Sequence, residues 1–195
     1  MKATYAIIFA LVCSLSLHAQ APTAEVQIKT ALLAAPEDMR AGAMVYGYDA
    51  KGEFVVLRKG TNELVCLADN PKQAGLSVSC YHKDLEPFMA RGRELKNAGK
   101  SFQEIFDIRE AEAKSGKLMM PKQASNLQIY SAKAEDYNET TGEVAKGSFR
   151  YVVYIPWATA ASTGLPIKPE APGMPWIMDP GTHRAHIMIN PPSKD

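Results

Sequence analysis

None of the short signatures that announce a chemistry is present. The chain carries no Gly-x-Ser-x-Gly nucleophile elbow, no His-Glu-x-x-His zinc helix, no phosphate-binding glycine loop and no dinucleotide fingerprint. Their absence removes the usual routes to a serine hydrolase, a zinc protease or a nucleotide-dependent enzyme. Charge of one sign is missing as well. Lys and Arg number 22 against 21 Asp and Glu, so there is no basic footprint for nucleic acid and no polybasic cluster for anionic lipid. Cysteine is scarce, at three residues, too few for a dense disulfide framework. Long apolar runs are also lacking. The longest, Ala6 to Leu17, covers about a dozen residues, short of the roughly 20 that span a bilayer as a helix.

What the N-terminus does have is a charged start at Lys2, that short apolar run, and the small-residue stretch His18-Ala-Gln-Ala21. This pattern reads as a secretory signal peptide over residues 1–19. Cleavage after Ala21 competes but would leave Pro22 first. A lipoprotein reading through Cys13 is disfavoured by the bulky Val12 before it. The expected mature chain, residues 20–195, is one domain's worth, without an integral membrane segment, placed in the periplasm or outside the cell.

Removing the signal leaves Cys66 and Cys80. In an oxidising compartment, two cysteines most simply form one disulfide. The loop they close is about 15 residues, worth roughly 3 kcal/mol by chain entropy. A metal site or a redox pair are the alternatives, although Cys-x-x-Cys spacing is absent.

Periodicity predicts a helix over 24–35, capped by Thr23 and stopped by Pro36. A hairpin of 43–48 and 53–58 turns at Asp49–Gly52, and a third strand runs 63–67. Residues 68–79 read as a loop. Helices are expected over 84–98, and from the capping box Ser101–Glu104 to about Lys114, with Phe102, Ile105 and Phe106 inward and Glu104, Asp107, Glu110 and Glu112 on a solvated face. Strands are expected at 127–131 and 148–155, separated by a polar stretch. Prolines 156, 166, 169, 172, 175 and 180 make 156–181 an irregular wrap, and a last strand follows at 184–190. Hairpin-connected strands with clustered helices define an α+β class with a mainly antiparallel sheet.

The densest group of unusual residues is Met174-Pro-Trp-Ile-Met-Asp-Pro-Gly-Thr-His-Arg-Ala-His186. His183 and His186 with Asp179 could hold Zn or Cu, completed by His82 if the fold brings it near. If the strand begins at Arg184, however, only His186 lies on it and His183 sits in the preceding turn. The plainer reading is that both pack structurally and no cofactor is held. Trp176 and Asp179 are candidate binding residues on the same stretch. Tyr46, Tyr48, Tyr151 and Tyr154 lie on strands and could form an aromatic patch, although half-buried strand positions are the commoner role.

The run Val55-Val-Leu-Arg-Lys-Gly-Thr-Asn62, followed by Cys66-Leu67 and a proline-containing loop to Cys80, resembles a group of uncharacterised exported bacterial proteins. The stretch Ala31-Leu-Leu-Ala-Ala-Pro36 is similar too, and the resemblance spans about residues 28–90. This chain has Leu64-Val65 where the group carries Trp, and Val78-Ser79 where it carries Pro-Met. The group brings no activity with it, so the resemblance implies no catalytic residue. Asn62 is expected in a tight turn and is a candidate ligand contact. The sequence therefore points to an exported, non-catalytic protein that binds a small ligand or an envelope partner. A metal-dependent hydrolase is the alternative, and a subunit of an envelope assembly the third.

Overall fold

The computed structural model describes residues 21–192; the expected signal peptide lies outside the described residues. Thr23 accepts a hydrogen bond from the Val26 N–H and opens α1 (Ala24–Ala31), which tightens into a 3-10 turn at Leu32–Ala34 before Pro36. After a second 3-10 segment (Glu37–Gly42) come β1 (Met44–Tyr48) and β2 (Phe54–Arg58), joined by the Asp49–Gly52 turn. Then follow β3 (Leu64–Leu67), β4 (Leu76–His82), α2 (Glu86–Asn97) and α3 (Phe102–Lys114). The chain returns through β5 (Ser125–Ala132), a small hairpin of β6 (Tyr137–Asn138) and β7 (Glu143–Val144), and β8 (Ser148–Tyr154). It closes with the four-residue α4 (Ala160–Thr163), β9 (Trp176–Met178) and β10 (His186–Ile189).

Eight strands form one sheet in the order β2-β1-β3-β4-β5-β8-β10-β9. All neighbours are antiparallel except β1 and β3, so the α+β class with a mainly antiparallel sheet is the architecture found. The parallel pair arises because the chain leaves edge strand β2 and crosses the start of β1 to reach β3. The crossing is clamped. Arg58 donates from Nε and Nη2 to the Ala43 carbonyl and from Nη2 to that of Arg40. Thr61 and Asn62 N–H groups donate to the Gly42 carbonyl. A Cβ on Gly60 would lie 2.5 Å from the Met44 backbone nitrogen, so only glycine fits there.

Alternation sends the two faces of the sheet into two cores. Val45, Cys66, Val78 and Cys80 pack under α1 and its 3-10 extension. Val65, Tyr81, Leu127, Val152 and Tyr154 pack with Leu85, Phe88 and Leu118 on the side of α2 and α3. Cys66 and Cys80 stand directly opposite each other on β3 and β4 and form a disulfide, buried in the first core.

Three expectations need correction. Residues 68–79 are not all loop, because Leu76, Val78 and Cys80 alternate inward and build β4. The proline-rich wrap contains a strand, β9, which pairs with β10. Phe102 does not face inward but is 67% exposed, with the Arg184 guanidinium 5.0 Å from its ring.

Candidate functional site

The C-terminal ends of β4 and β8, the starts of β5 and β10, and the loops attached to them meet at one end of the sheet. The sequence-predicted residues of the 174–186 stretch lie there, and two different environments emerge.

The first is sealed. His183 is fully buried in the turn before β10, with its ring edge-on to those of Phe88 and Phe106. Its backbone N–H donates to Glu110 Oε2 at 2.9 Å, and its ring Nδ1 meets the same oxygen at 2.5 Å. That partner fixes the tautomer with the proton on Nδ1, and Nε2 is left buried without a hydrogen bond. Burial pushes His183 below the ordinary histidine range, and the Arg109 and Arg184 guanidinium groups add to this, outweighing the pull of Glu110. For Glu110 itself, burial works upward, but Lys114 and the two His183 donors outweigh it and hold the carboxyl at about 2. The pair is thus a neutral imidazole on an ionised carboxylate. Arg109 is buried beside it, its guanidinium 4.0 Å above the Phe88 ring and lowered to about 10 by desolvation. The acidic stretch of α3 is therefore not the uniformly solvated face expected: Glu110 turns to His183, and Glu112 accepts both Nε and Nη2 of Arg91.

His186 is buried on β10 against the Tyr154 ring, its Nδ1–H directed at the Arg184 carbonyl. Burial lowers its basicity too. Trp176 is buried on β9, opposite Met188. Asp179 opens the Pro180–Thr182 turn with φ 50°, and its Oδ2 lies 3.2 Å from Arg184 Nη1.

The structure does not bring the three histidines together. β4 and β10 are separated by β5 and β8, three strand spacings or about 14 Å. His82 shares a face with Cys80 and His186 with Tyr154, the two opposite faces of the sheet. His82 instead accepts from the Asp84 N–H through Nδ1. Among the described residues, no group of three or more His, Cys, Asp or Glu side chains converges to hold a metal ion. Asn62 is likewise occupied internally. Its Nδ2 donates to the Met39 carbonyl and its Oδ1 accepts from the Leu64 N–H. The residues that carry the resemblance, Arg58, Gly60 and Asn62, thus form the β2–β3 crossing clamp.

The second environment is open. The loop Met120–Ala124 runs between two grooves. One flank faces His82, Asp84 and Pro87, and the other faces Ile155, Pro156 and Trp157. Met119 is 71% exposed and Trp157 is 41% exposed. Trp157 holds φ 68°, a left-handed backbone that costs a side-chain-bearing residue about 1–2 kcal/mol. The surroundings impose it: Trp157 N–H donates to the Thr182 carbonyl at 2.8 Å, and Gly181 N–H to that of Ala158 at 2.7 Å. Of the two tryptophans, the one singled out from the sequence, Trp176, is buried, and Trp157 is the exposed one. The signal available was position, since Pro156-Trp157 follows directly on a strong strand, whereas Trp176 alternates with Met178 inside one. Another groove, between α1 and the β6–β7 hairpin, is rimmed by Glu135, Glu139 and Glu143 and has no exposed aromatic ring.

Comparison with family models, with curated proteins and with solved structures gives no match.

Proposed function

We propose that this chain is an exported, non-catalytic binding protein that takes an extended, largely apolar segment of a partner protein of the cell envelope across the grooved end of its sheet. The observation that carries this reading is Trp157, an exposed aromatic held in a strained backbone conformation by two loop-to-loop hydrogen bonds. Strained backbone conformations cluster at functional sites, and tryptophan is a preferred anchor at interfaces. Around it, Met119, Met120 and Pro121 supply adaptable apolar surface. Lys83 is paired with Glu63 and Glu86 with Arg93, and Lys122 and Asp84 bring one charge of each sign, a mixed rim that suits a peptide better than a phosphate-rich ligand. The buried imidazoles of His183 and His186 present no group to the groove.

The test is selection of a displayed library of random 12-residue peptides on the purified mature chain, with Trp157→Ala as the counter-screen. The expected result is enrichment of apolar-rich peptides that bind Trp157→Ala at least tenfold more weakly. Peptides that bind both proteins equally, or no enrichment at all, would overturn the reading.

A further inference from the structure

The sealed histidine and the exposed tryptophan belong to one mechanical unit. The Ile155–Thr159 turn is laced to the Asp179–Ala185 segment by three backbone hydrogen bonds: Ile155 N–H to Ala185, Trp157 N–H to Thr182 and Gly181 N–H to Ala158. That segment is fastened to α3 by the two hydrogen bonds from His183 to Glu110. Whatever frees His183 loosens the support that holds Trp157 in its left-handed conformation.

We infer that protonation of His183 is a built-in release: it breaks the latch on Glu110, lets the 179–185 segment lift from α3, and dismantles the Trp157 side of the groove. This rests on reading that groove as the binding site.

The surroundings of His183 on every side explain why a second proton is not accommodated in place. From α3 it meets Glu110 and the Arg109 cation; Lys114 also binds Glu110, through the other oxygen, and shares its charge. From its own segment it meets Arg184, itself 3.2 Å from Asp179. From α2 the Phe88 ring packs against it, and from α3 the Phe106 ring, neither offering an acceptor. The added proton goes to Nε2, which is buried with no acceptor. A buried N–H donor without a partner, carrying charge beside two guanidinium groups, is costly. Glu110 opposes this, but it already accepts Nδ1–H in the neutral state. The ring gains water for its new proton only by leaving the pocket. His186, the first residue of β10 after the 179–185 segment, is faced by Tyr154, Arg184 and Asp179 and is also lowered by burial, so its protonation acts in the same direction.

The measurement is hydrogen exchange by mass spectrometry on the mature chain without any ligand, expressed as protection factors at pH 7.5 and 5.0. Segments 155–159 and 179–186 are expected to lose about tenfold or more in protection at pH 5.0, since uptake of one proton on opening shifts the equilibrium about tenfold for each pH unit below about 6.5, while β3 and β4 around the disulfide keep theirs. In His183→Asn, whose amide N–H takes the place of Nδ1–H toward Glu110 but does not titrate, the two segments are expected to lose most of that pH dependence, the remainder belonging to His186. Equal protection of the wild type at both pH values overturns the inference, as does an undiminished pH response in His183→Asn. Should that variant not fold, the wild-type ratio decides alone. Because no ligand is present, failure here leaves the peptide groove standing, and failure of the peptide selection leaves the acid release measurable.

Discussion

Glu110 Oε2 accepts both the backbone N–H and the ring Nδ1–H of His183, joining α3 to the start of β10 across 73 residues of chain. Removing the carboxylate leaves two donors of a fully buried residue without their acceptor. Glu110→Ala is expected to lower the unfolding free energy by about 3 kcal/mol, since each buried donor left unpaired costs about 1–3 kcal/mol. Glu110→Gln retains one acceptor oxygen and should lose about half as much. Urea midpoints at pH 7.5, with unchanged slope, check both.

Much of the framework that positions this contact is legible in the sequence. The capping box at Ser101 and Glu104 starts α3 where its side-chain chemistry says it should, and the Asp49–Gly52 turn makes the β1–β2 hairpin. β4 was hidden because its outward positions, Ser77 and Ser79, and the glycine before it look like loop composition. β9 was hidden because three residues between prolines carry no periodicity. The contact itself was half visible. The sequence places His183 in a turn and Glu110 on a helix, but nothing local says that a carboxylate among four on one helix will be covered by a turn 73 residues away. That is a tertiary fact, set by the order of β8, β10 and β9 at the sheet edge.

The clamp at the β2–β3 crossing predicts a graded series. Asn62→Ala removes a donor to Met39 and an acceptor for Leu64 in a half-buried site, and should cost about 1–3 kcal/mol. Gly60→Ala should cost more, because its Cβ would sit 2.5 Å from the Met44 backbone nitrogen, which cannot move aside without shifting β1. Reversing the order of stability losses would show that the crossing is not held as described.

The disulfide links adjacent strands in a buried, register-matched position, its cysteines 14 positions apart in the chain. Replacing both cysteines by alanine should lower stability by about 3 kcal/mol through the freed chain entropy of the unfolded state. The lost packing of two buried sulfurs in the first core adds to that. Thermal unfolding of the wild type with and without a reductant gives the first number, and the double variant gives the sum. A reductant effect near zero would mean that the loop is already constrained in the unfolded chain.

Asp69 responds to pH in the opposite sense to His183. It sits beside a small cavity lined by Gln27, Thr30, Tyr137 and Glu139. Desolvation raises its carboxyl to about 6, with the nearby Glu139 charge adding to the effect and hydrogen bonds from the Ser77 and Asn70 backbone opposing it. A carboxyl whose folded pKa lies above its unfolded value holds its proton more tightly in the native state, so stability is lost as pH rises from about 4 through about 6. Above that range the native state carries a partly buried, unpaired negative charge. Asp69→Asn keeps the oxygen that accepts from the Ser77 N–H and removes the charge. It is therefore expected to raise the melting temperature at pH 8 and to change it little at pH 4. His183→Asn should behave inversely, because a histidine whose folded pKa is lowered contributes stability above about 6.5 that is lost as the pH falls. Melting curves of the two variants across pH 4 to 8 separate the two groups: crossing profiles fit their opposite shifts, and parallel profiles would show that neither group titrates within the folded state.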